Sequence, residues 1–188
     1  MKSIITAALA ALALSTNVKG QSLLYPQHFN LSEITVLDGQ QKTMMERNAS
    51  LLLDYDADRL MTPFVRQSGL SDVSSSKYYK WTEKHPSFTN WGLADWSLEG
   101  HVGGHYVTAL SLAYAALNDG SDTQNTLRKQ IKERLDYCVE IMRDCQNAYK
   151  DNTEGLYGFI GGQPINQIWT GLYANNLTEF KKYGGWVP

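Results

Sequence analysis

Apolar residues recur at helical spacing in the first long stretch of the chain, residues 41–64 (QKTMMERNASLLLDYDADRLMTPF). This spacing predicts two successive helical pieces. Proline lacks a backbone N–H and clashes with the preceding turn of a helix, so we expect Pro63 to end or kink the second piece. The positions near helical spacing in the first piece are Met44, Met45, Ala49, Leu52 and Leu53.

A second helical pair is predicted over residues 106–145. Residues 106–117 are apolar nearly all round, and their alanines permit close packing on more than one side. Asp119-Gly120 marks a turn, and Ser121 with Gln124 matches a capping box that starts a long amphipathic helix. These two helices should form an antiparallel hairpin, with one helix largely buried and the other half exposed. The apolar stripe of the second helix is Leu127, Ile131, Leu135, Cys138, Met142 and Cys145.

The pattern around these helices is not helical. In residues 29–37 (FNLSEITVL), Ile34 and Val36 alternate with polar neighbours, which predicts a short N-terminal β segment. The serine-rich residues 67–80 predict a surface loop, and the glycine-rich residues 155–164 predict an irregular one. The fold class is therefore mainly α with a short N-terminal β segment. A buried helix paired with a half-exposed one is what a two-ring helical barrel requires.

The first twenty residues have the pattern of a secretory signal peptide. Lys2 precedes an apolar run from Ile4 to Leu14, and the small residue Gly20 allows a cut before Gln21. The run has about eleven residues, against about twenty needed to span a bilayer, so we expect no membrane span. A buried N-terminal helix is the alternative. The signal peptide predicts export, to a bacterial periplasm or as a secreted protein.

The net charge and the cysteine spacing limit the partners and the cysteine chemistry that we expect. The net charge is −2 and the basic residues are scattered, so no nucleic-acid partner is expected. Cys138 and Cys145 lie seven residues apart in a helical pattern, which places their Cα atoms about 10 Å apart, too far for a disulfide. We expect core thiols, with metal ligation as the second interpretation. The oligomeric state is not predicted.

The sequence LEGHVGGHY (98–106) sets two histidines four residues apart among glycines. One interpretation is a zinc site, but Val102 follows His101 where the H-E-x-x-H motif has glutamate, and no third ligand is evident. A second is a histidine satisfied structurally at a helix N-terminus. The third is sugar binding, because neutral imidazoles both donate and accept hydrogen bonds and glycines let a ligand approach.

Three tryptophans, Trp81, Trp91 and Trp96, fall within sixteen residues of a non-periodic segment. They either plug the rim of a core or form an aromatic wall beside a pocket. A wall of this kind would suit the apolar face of a sugar. We predict His105, His101, Trp91 and Trp96 as substrate-binding residues, because together they have the composition of a carbohydrate site.

Four segments also resemble one known family, in order and at natural spacing. They are YDADRLMTPFVRQSGL (55–70), NWGLADWSLEGHVGGHYVTALSLAYAAL (90–117), IKERLDYCVEIMRDCQ (131–146) and GGWVP (184–188). The chain resembles the N-terminal portion of the β-L-arabinofuranosidases of glycoside hydrolase families 127 and 146. The G-H-x-G-G-H-Y block is the most specific piece of the resemblance, which covers residues from about 29 to 188.

The resemblance implies an (α/α)6 barrel and the removal of terminal β-L-arabinofuranose from plant glycans with retention of configuration. It also implies a zinc-bound cysteine thiolate as nucleophile and a glutamate acid/base in the full-length enzyme. His105, with His101 beside it, would contact the bound sugar. Cys138 and Cys145 do not match the family's zinc ligands. The resemblance therefore implies no catalytic residue, no metal ligand and no cofactor in this chain.

The chain has room for four or five of the twelve helices of such a barrel, so we expect an incomplete one. It divides into a signal peptide (1–20), an N-terminal extended segment (21–38) and a partial (α/α)6-barrel glycoside hydrolase domain (39–188). The predicted function is that of an N-terminal portion of the exported hydrolase, inactive alone, with an arabinofuranose-containing oligosaccharide as partner. The alternatives are a non-catalytic exported carbohydrate-binding helical module and a two-histidine metal protein.

Overall fold

The computed structural model describes residues 28–88, 100–153, 155–163 and 171–176. The predicted signal peptide lies outside these residues, as do Trp91 and Trp96. The described part is mainly helical and contains no β-strand. Its α-helices include α1 (Gln40–Asp54), α2 (Ala57–Gln67), α3 (Trp81–Lys84), α4 (His101–Ala116) and α5 (Asp122–Asn147). Residues 171–173 are also helical.

The predicted N-terminal β segment is wrong for the described residues 28–38. Residues Leu31–Glu33 form a 3-10 helix, in which the Asn30 N–H donates to the Glu33 carboxylate at 2.9 Å. The Asn118 side-chain amide donates to the carbonyls of Leu31 and Ile34, at 3.2 and 3.1 Å. A local turn and one amide therefore satisfy several of the backbone groups that a partner strand would bond.

Helices α1 and α2 confirm the two helical pieces predicted over residues 41–64. Asp56 separates them, and its carboxylate accepts the Arg59 N–H at 3.2 Å as the N-cap of α2. Pro63 does not end α2, which continues to Gln67. Buried side chains surround the proline and hold the helix together against its lost backbone donor.

The α4–α5 hairpin is confirmed, and α5 packs on α1, α2 and α4 together. Its predicted stripe is buried at Ile131, Cys138 and Cys145, and Ile141 joins it. The core of the described residues forms where these four helices meet. Its fully buried members include Met61, Val65, Leu110, Leu117, Ile131, Ile141 and Cys138.

The expectation that the first helix of the hairpin is largely buried is wrong for the described residues. α4 buries Gly103, Tyr106 and Leu110, because α1, α2 and α5 cover that side. On the opposite side Leu112 is 52% exposed, and His101, His105 and Thr108 lie on the same exposed face. The helix thus presents a face that is polar at its N-terminal end.

Candidate functional site

The N-terminal end of α4 forms one wall of an open cleft of about 650 Å³. His101 begins the helix and His105 follows one turn later, so both imidazoles project on the same side. Both side chains are exposed. The histidines predicted from the sequence as substrate-binding residues are therefore brought together at a cavity of the size that small ligands occupy.

The two imidazoles contact each other directly. The Nε2 atoms of His101 and His105 are 3.1 Å apart, and the rings meet edge to face with centroids 4.4 Å apart. One ring nitrogen donates and the other accepts, and the tautomer decides which of the two is the donor.

Glycines on α4 shape this wall in two different ways. At Gly104 a Cβ would meet no atom within 4 Å, so the position next to the histidines faces open space. At Gly103 a Cβ would lie 2.7 Å from the Leu60 carbonyl oxygen and 2.9 Å from the Phe64 ring. Gly103 therefore lets α4 approach α2 closely, while Gly104 leaves room for a ligand.

The opposite wall is the loop of residues 159–163, within the stretch for which the sequence predicts an irregular loop. Phe159 packs edge to face on Tyr149, with ring centroids 5.7 Å apart. The Gln146 side-chain amide donates to the Gly158 carbonyl at 2.9 Å. The residues that line the cleft on both sides are Phe64, Gly100, His101, Gly104, His105, Thr108, Met142, Phe159, Ile160, Gly161, Gly162 and Gln163. None of these described lining residues is acidic.

Trp81 is the one predicted aromatic residue that the described part of the chain contains. Its ring lies 4.5 Å from that of His85, and its indole N–H donates to the Asp58 carbonyl at 3.3 Å. These contacts bind it to α2, so Trp81 belongs to the rim of the core rather than to the cleft. Trp91 and Trp96 lie outside the described residues, and their predicted role stays a prediction.

Asp56, Asp58 and His85 form a further group, in which potential ligand atoms lie within 4.8 Å of one another. Each aspartate already has a structural bond: Asp56 caps α2, and Asp58 accepts a hydrogen bond from the Tyr137 hydroxyl. His85 Nδ1 lies 3.5 Å from the Asp58 carboxylate. These contacts join α2 to α3 and α5, which is a structural role.

Neither cysteine fits a zinc-bound thiolate of the kind that the family resemblance implies. Cys138 and Cys145 are free, buried thiols on α5, and burial raises the pKa of both to about 11. Among the described residues, neither thiol belongs to a group of three or more potential ligand atoms that lie close together. The structure thus agrees with the prediction of core thiols.

Comparison with known proteins supplies one match. The family model described as the β-L-arabinofuranosidase, GH127 catalytic domain, matches residues 33–188. No curated protein and no solved structure matches the chain. The match covers most of the chain and includes α1 to α5 and both walls of the cleft. None of the helices in the described residues has the length and hydropathy needed to cross a membrane.

Proposed function

The chain belongs to the β-L-arabinofuranosidase family with the GH127 catalytic domain, and we propose that its cleft holds a terminal β-L-arabinofuranose of a plant glycan. The observation that carries this proposal is the position of His101 and His105, side by side at a cleft of about 650 Å³. A glycoside hydrolase family implies a glycan substrate. The particular sugar, the retaining mechanism and export to the periplasm or medium are parts of the proposal.

The side chains around the cleft suit a sugar. Imidazole nitrogens of His101 and His105 can donate to or accept from hydroxyl groups, and the exposed amide of Gln163 on the facing wall can do both. Phe159 and Met142 offer apolar surface for the C–H groups of a sugar ring. Polar groups of this kind fix orientation within an otherwise apolar cleft. We extend the predicted substrate contacts to Trp91 and Trp96 on sequence grounds.

Glycoside hydrolysis in most families uses a pair of carboxylates beside the scissile bond. The described lining residues supply hydrogen-bonding and apolar groups without a carboxylate. Cys138 and Cys145 are buried away from solvent, so neither serves as a nucleophile. We therefore propose that this chain binds the sugar and does not cleave it alone, and that a barrel of the (α/α)6 type completes the site.

The same lining also supports a second candidate, a non-catalytic exported module that only binds carbohydrate. The absence of acidic side chains from the described lining is the specific observation in its favour. The two candidates share the cleft and differ in whether further catalytic groups complete it. An arabinofuranosidase assay of the protein that the natural gene encodes separates the two candidates.

The test of the shared binding site is a titration of the chain with methyl β-L-arabinofuranoside, followed by NMR of 13C-labelled histidine. The chain has four histidines, so each imidazole signal is assigned by a single substitution to alanine. We expect the signals of His101 and His105 to shift and those of His28 and His85 to stay. Methyl β-D-galactopyranoside is the control sugar.

The absence of any shift with the arabinofuranoside would contradict the binding site. The catalytic part of the proposal has its own assay, the release of nitrophenol from nitrophenyl β-L-arabinofuranoside by the chain. We expect no turnover. Turnover by this chain would refute both the inactivity that we propose and the non-catalytic alternative.

A further inference from the structure

The distance between the two imidazoles has a consequence that does not depend on a sugar. Zinc–imidazole bonds are about 2.0–2.1 Å long, and bonds of that length to nitrogens 3.1 Å apart enclose an angle of about 100°. Adjacent ligands subtend about 90° in a square-planar complex and about 109° in a tetrahedral one. The Nε2 atoms of His101 and His105 are thus spaced as adjacent ligands of one ion, which would replace the proton that they share. The proton of each neutral ring would then be on Nδ1.

We propose that His101 and His105 form a chelating site for one exchangeable divalent transition-metal ion. Both donors are imidazole nitrogens, which suit copper, nickel and zinc. Both stand on the same helix, so the backbone fixes their separation before an ion arrives. Both side chains are exposed at the open cleft, so an ion can enter with water in its remaining coordination positions.

The surroundings decide which ions are favoured. Mg²⁺ and Ca²⁺ prefer oxygen ligands, above all carboxylates, and the described lining residues include no carboxylate. The affinity of a nitrogen site is higher for Cu²⁺ than for Ni²⁺, and it is lower again for Zn²⁺ than for Cu²⁺. We therefore expect Cu²⁺ to bind more tightly than Ni²⁺ or Zn²⁺. Two protein ligands make this a labile site, distinct from a resident cofactor.

Two other sets of potential ligands among the described residues bear on this titration. Cys138 and Cys145 are buried, so they do not compete for an added ion. The Asp56, Asp58 and His85 group is the remaining described set with ligand atoms close together. Because His85 belongs to that group and not to the cleft, His85→Ala is the matched control for the two cleft histidines.

Metal occupancy would also oppose sugar binding, and this part of the inference rests on the proposed function. The nitrogens that would hydrogen-bond a hydroxyl group are the ones that would ligate the ion. An ion bound between His101 and His105 would therefore compete with methyl β-L-arabinofuranoside. Transition metals would then act as competitive inhibitors of the cleft.

The experiment is isothermal titration of the tag-free chain with CuCl2, NiCl2 and ZnCl2, with MgCl2 as a negative control. We expect one Cu²⁺ per chain. His101→Ala and His105→Ala should each weaken binding by about tenfold or more, because the second ligand no longer acts intramolecularly. His85→Ala should bind Cu²⁺ as the wild type does. Circular dichroism of each variant checks that the helices remain.

Unchanged Cu²⁺ affinity in either cleft variant would overturn the site, as would loss of binding in His85→Ala with its helices intact. Failure of this inference is distinct from failure of the proposed function. Cu²⁺ binding without arabinofuranoside binding would contradict the sugar site alone. Arabinofuranoside binding without Cu²⁺ binding would contradict the metal site alone.

Discussion

The backbones of Gly100 and Gly162 pack directly against each other. A Cβ on Gly100 would lie 2.7 Å from the Gly162 Cα and 3.0 Å from its nitrogen. Gly100 precedes α4 in the left-handed region, with φ of 88°, and Gly162 belongs to the facing loop. The contact joins the two walls of the cleft at its base and so determines their separation.

Gly100→Ala should therefore destabilise the chain for two reasons. The left-handed backbone costs an L-residue about 1–2 kcal/mol, and overpacking against a backbone costs about 1–3 kcal/mol more. Gly120→Ala is the matched control, because Gly120 has φ of 78° but nothing within 4 Å of its Cβ position. Urea denaturation of both variants separates backbone strain from the contact. Equal losses in the two variants would show that the two walls do not touch.

The adjacent glycines of α4 should respond to alanine in opposite directions. Gly103→Ala places a methyl group 2.7 Å from the Leu60 carbonyl oxygen and should destabilise the chain by about 1–3 kcal/mol. Gly104→Ala meets no atom and gains helix propensity, so it should stabilise the chain by about 0.5–1 kcal/mol. The free energy of unfolding in urea measures both. Destabilisation by Gly104→Ala would mean that this side of α4 is covered.

Gly104→Ala also tests the cleft. Its methyl group would enter the open space beside His101 and His105, so it should weaken arabinofuranoside binding while the fold gains stability. A loss of binding with a gain in stability excludes unfolding as the cause. Unchanged binding in this stable variant would place the sugar elsewhere.

The helices could be predicted from the sequence because their determinants are local. Ser121 caps α5 as expected, and its hydroxyl accepts the Gln124 N–H at 3.3 Å. The rest of that capping box differs, because the Gln124 side chain accepts from the Asp119 N–H and the Asp119 carboxylate accepts from the Ser121 N–H. Gln124 is buried against α1, where its amide donates to Glu46, so a tertiary contact changed a local motif.

The cleft could be predicted only in part. The spacing of His101 and His105 placed them on one helical face, which needs no tertiary information. The facing wall depends on the meeting of Gly100 and Gly162, which are sixty-two positions apart. Single glycines predict a loop but do not show which backbone it will contact. The β segment failed for a similar reason, since Asn118 supplies the hydrogen bonds that the pattern attributed to a neighbouring strand.

The Lys42–Asp119 ion pair should make stability depend on pH in the acid range. The hydrogen bond from Lys42, with further bonds from Ser121, lowers the pKa of Asp119 to about 2 from 3.8. A lowered pKa means that the stabilisation is present above pH 3.8 and is lost as the pH falls toward about 2. Melting temperatures over this range should fall more steeply for the wild type than for Asp119→Asn.

Asp38→Asn is the control for this prediction. Asp38 also contacts Lys42, at 2.7 Å, but its side chain is 94% exposed. We expect this variant to keep the acid dependence of the wild type. An acid profile that Asp119→Asn leaves unchanged would contradict the assignment of the titration to Asp119.

Tyr106 joins α4 to the end of α1, so removal of its hydroxyl should destabilise the fold. The hydroxyl donates to the Leu52 carbonyl at 2.8 Å and accepts from the Arg134 guanidinium at 3.2 Å. Tyr106→Phe should lower the free energy of unfolding by about 1–3 kcal/mol, because the half-buried Leu52 carbonyl loses its donor. The control is Tyr157→Phe, since Tyr157 is 77% exposed. Equal effects in urea would contradict this role.

The two thiols should be unreactive in the folded chain. Burial raises the pKa of Cys138 and Cys145 to about 11, so about one thiol in ten thousand is ionised at pH 7. DTNB should label neither in native buffer and both in guanidinium chloride. Val139→Cys is the matched control, because Val139 lies on the same helix and is 50% exposed, so its thiol should react in the native state. Native labelling of the wild type as fast as that of Val139→Cys would show that α5 exposes its cysteines, and a nucleophile or zinc ligand among them would have to be considered again.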